Sequence, residues 1–201
     1  MPVSSFERSE MDRQRMTVSL WHASDDPNIE IFTPHRAPTA LIDDEVVWAI
    51  DEEHVPAYWF PRDCPRATFW VGPSTSEADI AWMNGATRVH AIEWDWWERF
   101  RIARIHLYLM PPQSFTVHNA GAGYYISREP VRPLARIDID DLVRRHAEAR
   151  VELRIVDDLW PLWDRVTSST LVFSGIRLRN ARPPTAASAS FVLLPPRRQS
   201  V

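Results

Sequence analysis

The chain contains no lysine, and all 23 of its basic residues are arginine. Lysine Schiff-base chemistry is therefore excluded, as is any phosphate-cradling loop that depends on its lysine. Codon bias in a GC-rich genome explains the absence more simply than avoidance of lysine modification. There is one cysteine, Cys64, which excludes an internal disulfide framework and a multi-cysteine zinc site. With only 5 glycines, backbone loops that could wrap a phosphate are scarce. The sequence lacks GxGxxG, GxSxG, HExxH and CxxC. No apolar run approaches the roughly 20 residues of a membrane span, and the first residues have no apolar stretch of signal-peptide type. The net charge of −4 supplies no general basic field for nucleic acid or an anionic membrane. A cytoplasmic protein is the expectation.

Of the 201 residues, 45% are hydrophobic and 25% charged, enough to build a core without covalent staples. All 10 tryptophans lie between Trp21 and Trp163, which brackets the folded body. Residues 1–15 read as a disordered leader, 16–181 as a single α+β domain, and 182–201 as a loose tail rich in proline and alanine. Within the tail, Phe191, Val192, Leu193 and Leu194 suit a short docking strand.

Strand and helix signals alternate through the body. Strands are predicted over residues 17–22, 46–50, 67–71, 88–94, 104–110, 115–117, 124–127, 131–139, 151–156 and 171–176. Residues 34–45 read as a proline-rich loop. In 104–110, Ile105, Leu107 and Leu109 share one face and His106 and Tyr108 the other. Helices are predicted over 76–83, capped by Ser74 or Ser76, and over 95–101, 138–150 and 157–169. Asp51 sits where an N-cap belongs, with Glu52 and Glu53 in the first turn of a short helix that Pro56 disturbs and Pro61 stops. Many short strands joined without helices favour a mixed α+β domain over a doubly wound sheet.

Several groupings carry potential chemistry. His22 and Ser24 stand two apart near a strand end and so share a face, where both can hydrogen-bond one flat ligand; a core histidine beside a turn-forming serine is the plainer account. Trp48 and Asp51 present an aromatic wall and a carboxylate, although capping alone explains Asp51. Arg62 and Arg66 flank Cys64 and would activate a thiol, or Arg62 would bind an anion; a rigid proline-bounded loop is the alternative. Tyr124 and Tyr125 follow a glycine turn and could sandwich a planar ring, with Glu129 as acid or base, or they simply pack on a sheet. A metal-dependent hydrolase built on His22, Asp51 and His54 has no diagnostic spacing behind it.

The strings LWHASDDPNIEIFTPH, VVWAIDEEHVPAYWFPRDCPR, GAGYYISREPVRPL and VELRIVDDLWPLWD resemble a bacterial protein family of unknown function over about residues 17–182. At a coarser level the order of pieces is similar to ADP-ribosyltransferase-type folds: a first strand with His22 and Ser24, a second strand leading into a helix, and a later strand ending in a carboxylate. That resemblance implies a split, twisted, mostly antiparallel sheet with short helices. It also implies a cleft for NAD, or a related nucleotide, as substrate, with no further cofactor required. His22 would bind a ribose hydroxyl with help from Ser24. Trp48, Arg62, Tyr124 and Tyr125 would line the cleft, and Glu129 would stabilise charge developing on the ribose. The usual carboxylate lies on the strand itself, where this chain has Ala122, Gly123 and Tyr124, whereas Glu129 follows the strand. The alternative is a non-enzymatic protein that binds a partner through a tryptophan-rich surface.

Overall fold

The computed structural model describes residues 18–36 and 44–184. Residues 1–17, which include the leader, residues 37–43 of the proline-rich loop, and residues 185–201 of the tail, with its candidate strand, lie outside the described residues. The architecture is α+β with mostly antiparallel sheets, as the strand pattern predicted. The described backbone groups into two compact units that interleave in sequence. Unit 1 takes the residues up to Arg62 and Ala103–Leu142, and unit 2 takes Asp63–Ile102 and the residues from Val143 onward.

Unit 1 is a six-stranded antiparallel sheet. Its strands are β1 (Leu20–Ser24), β2 (Val47–Asp51), β5 (Ile105–Met110), β6 (Thr116–Asn119), β7 (Tyr124–Ser127) and β8 (Ala135–Ile139). They run in the order β6-β7-β2-β1-β5-β8. Register decides which side chains meet. Leu20 pairs with Asp51, His22 with Tyr108 and Ala49 with Tyr125. That face therefore carries Leu20, His22, Val47, Ala49, Tyr108 and Tyr125, because strand side chains alternate. Its core of Leu20, Val47, Ala49, Tyr108, Met110 and Phe115 is closed by Phe32 and Val131 from two crossing segments, which pair through their backbones at 2.8 Å. Trp21, Trp48, Ile50, Tyr124 and Ile126 point to the other face. The alternation read from residues 104–110 holds, with His106 opposite Ser24 and Tyr108 opposite His22.

Unit 2 is a four-stranded sheet, β10 (Val172–Ile176), β3 (Arg66–Trp70), β4 (Arg88–Glu93) and β9 (Glu152–Val156), antiparallel except for the parallel β4–β9 pair. The described residues hold four short helices, α1 (Glu77–Trp82), α2 (Trp94–Ile102), α3 (Leu142–Glu148) and α4 (Leu159–Thr167). Helix α4 buries Leu159 and Val166 against Ala67, Ala91, Phe69 and Val89 of the sheet. Its N-cap is Asp158, whose carboxylate accepts the Trp160 N–H at 2.8 Å.

Two helical expectations and one strand shift for physical reasons. After Asp51 there is only a 3-10 turn over Val55–Tyr58, because Pro56 has no N–H to continue an α-helix. The helix predicted from residue 138 starts at Leu142, since Asp138 and Ile139 extend the ladder with β5. The strand predicted over 131–139 is broken. Val131 makes an isolated bridge to Phe32, Pro133 interrupts, and β8 begins at Ala135.

Candidate functional site

The residues singled out in the sequence are distributed over unit 1 in a definite way. His22 points into the packed face, with its ring 4.5 Å from Phe32 and its Nδ1 2.8 Å from the Trp48 carbonyl. Burial, the larger influence, pushes its pKa down, while the Trp48 carbonyl acts the other way. A carbonyl only accepts, so Nδ1 carries the proton and Nε2 is the acceptor. The Ser24 hydroxyl accepts the Asp26 N–H at 3.1 Å and closes a turn. Arg62 is exposed, and its backbone N–H donates to Asp25 at 3.2 Å. Glu129 is exposed beyond the end of β7; its N–H donates to the Ser127 hydroxyl, which donates in turn to the Glu129 carbonyl.

Tyr124 and Tyr125 are neighbours on β7 and therefore stand on opposite faces of the sheet, so one ring cannot lie between them. Tyr125 packs on the hydrophobic core. Tyr124 instead meets Trp48 edge-on at 5.9 Å, and its hydroxyl lies 3.0 Å from that of Tyr58. The Trp48 ring also meets His118 of β6 at 5.2 Å. The Trp48 indole N–H is buried and has no hydrogen-bond partner among the described residues. The structure thus brings Trp48 and Tyr124 together and sets His22, Ser24 and Tyr125 on the other face.

The most ordered polar feature of this region is one that the sequence pattern explained away as capping. The Asp51 carboxylate accepts the backbone N–H of His54 at 2.9 Å, and its Oδ1 lies 2.7 Å from His54 Nδ1. An ionised carboxylate has no proton to give, so Nδ1 is the donor. The Asp51 N–H donates to the Gly123 carbonyl at 3.0 Å, which joins β2 to the turn that enters β7. Gly123 has φ +68, and a Cβ there would lie 2.4 Å from His54 Nδ1 and 2.7 Å from both Asp51 carboxylate oxygens. Glycine at this position meets both demands at once, a left-handed backbone and an approach too close for any side chain. The Asp51 charge also reaches Tyr125, whose pKa is raised first by burial and then by that carboxylate. Next to the pair, the Trp21 indole donates to Glu52 at 3.0 Å. The signal that could have located the pair was the Asp-x-x-His spacing across a strand end together with a distant glycine turn.

Two other features were tested as sites. A shallow cavity of about 340 Å³ in unit 1 is lined by Pro27, Asn28, Ile29, Glu30, Tyr108, Pro133, Leu134, Ala135 and Arg136. Its polar atoms already serve the fold. The Tyr108 hydroxyl donates to the Asp26 carbonyl at 2.7 Å and accepts the Ile29 N–H, and Arg136 binds the Pro27 carbonyl and Asp138. Cys64 in unit 2 is fully buried, and burial pushes its thiol up to about 12, outweighing the opposing pull of Arg66. This favours the rigid proline-bounded loop over an activated thiol, since a thiol with that pKa is not a nucleophile at neutral pH. Among the described residues, no group of three or more His, Cys, Asp or Glu side chains is placed to hold a metal ion. No helix of the described residues is long and apolar enough to cross a membrane.

Residues 21–181 match the model of a family of unknown function, DUF6886, and the chain belongs to that family. The likeness to such a family read from the sequence strings is therefore correct. No curated protein and no solved structure matches the chain.

Proposed function

We propose that unit 1 binds a nucleotide, with NAD the first to test, on the sheet face where Trp48 of β2 meets Tyr124 of β7. The observation that carries this reading is the Trp48 indole N–H, buried without an acceptor beside Tyr124 and His118. An unmet buried donor costs about 1–3 kcal/mol, and a ligand oxygen would offset that cost. Aromatic rings that meet on one face of the sheet suit a planar base. The resemblance of the sequence's order of pieces to ADP-ribosyltransferase-type folds makes NAD the first choice. In this reading Glu129, exposed after β7, is the carboxylate available to a bound ribose, and His22 acts from behind by fixing the Trp48 backbone.

The test is a thermal and chemical denaturation series with NAD, its fragments and other nucleotides. At one hundred times the dissociation constant, binding should add about 2.7 kcal/mol of apparent stability. Trp48→Phe keeps the aromatic wall but removes the donor, and should weaken affinity about ten-fold. If no nucleotide changes the stability of the folded protein, the reading fails.

A second reading then takes its place, favoured by one observation in unit 2. Trp94, at the start of α2, is 52% exposed, meets Trp97 edge-on at 6.4 Å, and shares the helix with Ile102, which is 72% exposed. Exposed tryptophan is characteristic of surfaces that bind protein partners. Trp94→Ser should then abolish partner capture and leave the melting temperature unchanged.

A further inference from the structure

We propose that β8 is the seam of a symmetric dimer: its open edge pairs antiparallel with the same strand of a second copy of this chain, about a two-fold axis at Ile137. The inference is independent of the nucleotide reading, since β1 and β5 lie between β8 and β2 in the sheet.

A strand that ends a sheet turns every second N–H and C=O outward, with nothing inside the sheet to meet them. Unit 1 has two such strands, β6 and β8. β6 is blunted: it has four residues, and its register with β7 shifts between Val117 and Asn119. β8 is regular. Its five residues pair one for one with β5, from Ala135 opposite Leu109 to Ile139 opposite Ile105. Ala135, Arg136, Ile137 and Asp138 are all exposed, Ile137 at 51%. A straight, exposed edge with an apolar residue at its middle is a template for another strand.

The charges on β8 decide which strand fits it. Arg136 and Asp138 flank Ile137 and share the face of Tyr108 and His106, while Ala135, Ile137 and Ile139 share the other. Within the chain Arg136 Nε donates to Asp138 at 2.8 Å, so the two form a dipole along the strand. With Ile137 opposite the partner's Ile137, antiparallel pairing sets Arg136 opposite the partner's Asp138 and Asp138 opposite the partner's Arg136. The two dipoles then lie antiparallel, and opposite charges directly across a ladder attract. On the other face Ala135, Ile137 and Ile139 meet the partner's Ile139, Ile137 and Ala135 in an apolar row. A two-fold axis allows this pairing to slide only in steps of two residues, because a single step turns one strand's side chains to the wrong face. The next register in one direction puts Arg136 opposite the partner's Arg136, and the next in the other puts Asp138 opposite the partner's Asp138. Like charges repel in both, so the register centred on Ile137 is selected. An isologous contact of this kind closes on itself. Pro133 precedes the seam and α3 follows it, so the contact is one short strand a side. That is the small end of specific interfaces, below about 1,200 Å², and the dimer is a weak one.

The test is sedimentation of the full chain from about 1 to 500 µM, the range a weak interface requires. Wild type should pass from monomer to dimer and stop there. Ile137→Lys and Ile137→Glu each set like charges at the two-fold axis and leave the Arg136–Asp138 contact in place. Each should raise the dissociation constant at least about ten-fold, with the melting temperature near wild type. Their equimolar mixture sets lysine opposite glutamate and should dimerise about as tightly as wild type. A wild type that stays monomeric or assembles beyond the dimer overturns the proposal, as do single variants that dimerise like wild type. A mixture that stays monomeric also overturns it, since strands that face each other at Ile137 must regain the attraction. Hydrogen exchange on the wild type needs no variant. The outward amides of β8 should exchange at least about five-fold more slowly in concentrated than in dilute protein, while those of β6 are unchanged. Protection of β8 that is the same at every concentration assigns the edge to another occupant and overturns the second copy.

Discussion

The two units bury polar side chains to different ends. In unit 2 the carboxylates are enclosed by donors. Asp79 accepts from the Thr170 hydroxyl at 2.6 Å, the Thr170 N–H at 2.8 Å, Arg165 at 2.9 Å and the Ser76 hydroxyl at 3.1 Å. Its own N–H donates to Ser76, so the network closes on itself across α1, α4 and the approach to β10. Glu93, wholly buried, accepts the backbone N–H groups of Leu159 and Arg182 and so fastens β4 to the start of α4. Nothing in these networks is left for a ligand, and their role is to hold the fold. Unit 1 is built the other way. Its Asp51 accepts from the imidazole and the peptide of His54, with Gly123 close against both residues, and its Trp48 donor is unmet among the described residues. A closed network marks a joint, and the unmet Trp48 donor is what the proposed ligand would satisfy.

The contrast is broken most severely at Asp79. Asp79→Ala leaves the donors of Thr170, Arg165 and the capping Ser76 hydroxyl unmet, and should cost about 3 kcal/mol in urea denaturation. The Thr170 hydroxyl, the Thr170 N–H and Arg165 hold the Asp79 carboxyl well below the usual carboxylate range. A depressed pKa stabilises the folded state above the ordinary value near 3.9. The contribution should therefore be present at neutral pH and vanish progressively as pH falls from about 4 toward the folded value. Asp79→Asn should flatten the stability profile in that window, and an unchanged slope would refute the closed-network account.

A smaller effect is expected at the open end of unit 1. Gly123→Ala forces a left-handed backbone on alanine and drives a methyl group into Asp51 and His54. It should cost about 1–3 kcal/mol and also displace the pair. Urea denaturation checks it, and a cost larger than that of Asp79→Ala would make Gly123 a joint like those of unit 2. The smallest effect is at Cys64. With the thiol pushed up to about 12 by burial, iodoacetamide should leave it unmodified at pH 8 until the protein is unfolded. Labelling at the rate of a free thiol would place it in a different environment.

Much of this was legible in the sequence, in proportion to how local the cause is. Strand 124–127 was read with its observed bounds, and Ser76 was among the cap candidates for α1, because alternation and capping are fixed by neighbours in the chain. Boundaries moved where a non-local ladder competed, as at Asp138, which pairs with His106 of β5 rather than starting a helix. The site was legible in part. Trp48 and Tyr124 were named and do meet, but the sandwich of Tyr124 and Tyr125 ignored the two-residue period of the strand. Asp51 and His54 were visible and set aside, because their significance depends on Gly123, which lies more than one whole strand pair away in sequence and only register brings beside them. The division into interleaved units left no shift in composition to read.

That interleaving bears on how the chain comes off the ribosome. Unit 2 cannot be finished when its first half emerges, because β3 must wait for β10: Thr68 of β3 donates to the Ser174 carbonyl at 3.0 Å, 106 residues further along. Unit 1 waits in the same way for β5 through β8, while the first segment of unit 2 is synthesised in between. Vectorial synthesis therefore cannot settle one body and then start the next, and both must remain exposed until the last strands arrive. For the same reason neither unit is obtained by cutting the gene at a single point. An isolated unit 1 requires splicing Arg62 to Ala103 through a new linker, which makes the sequence junction, rather than either terminus, the place where this protein can be taken apart.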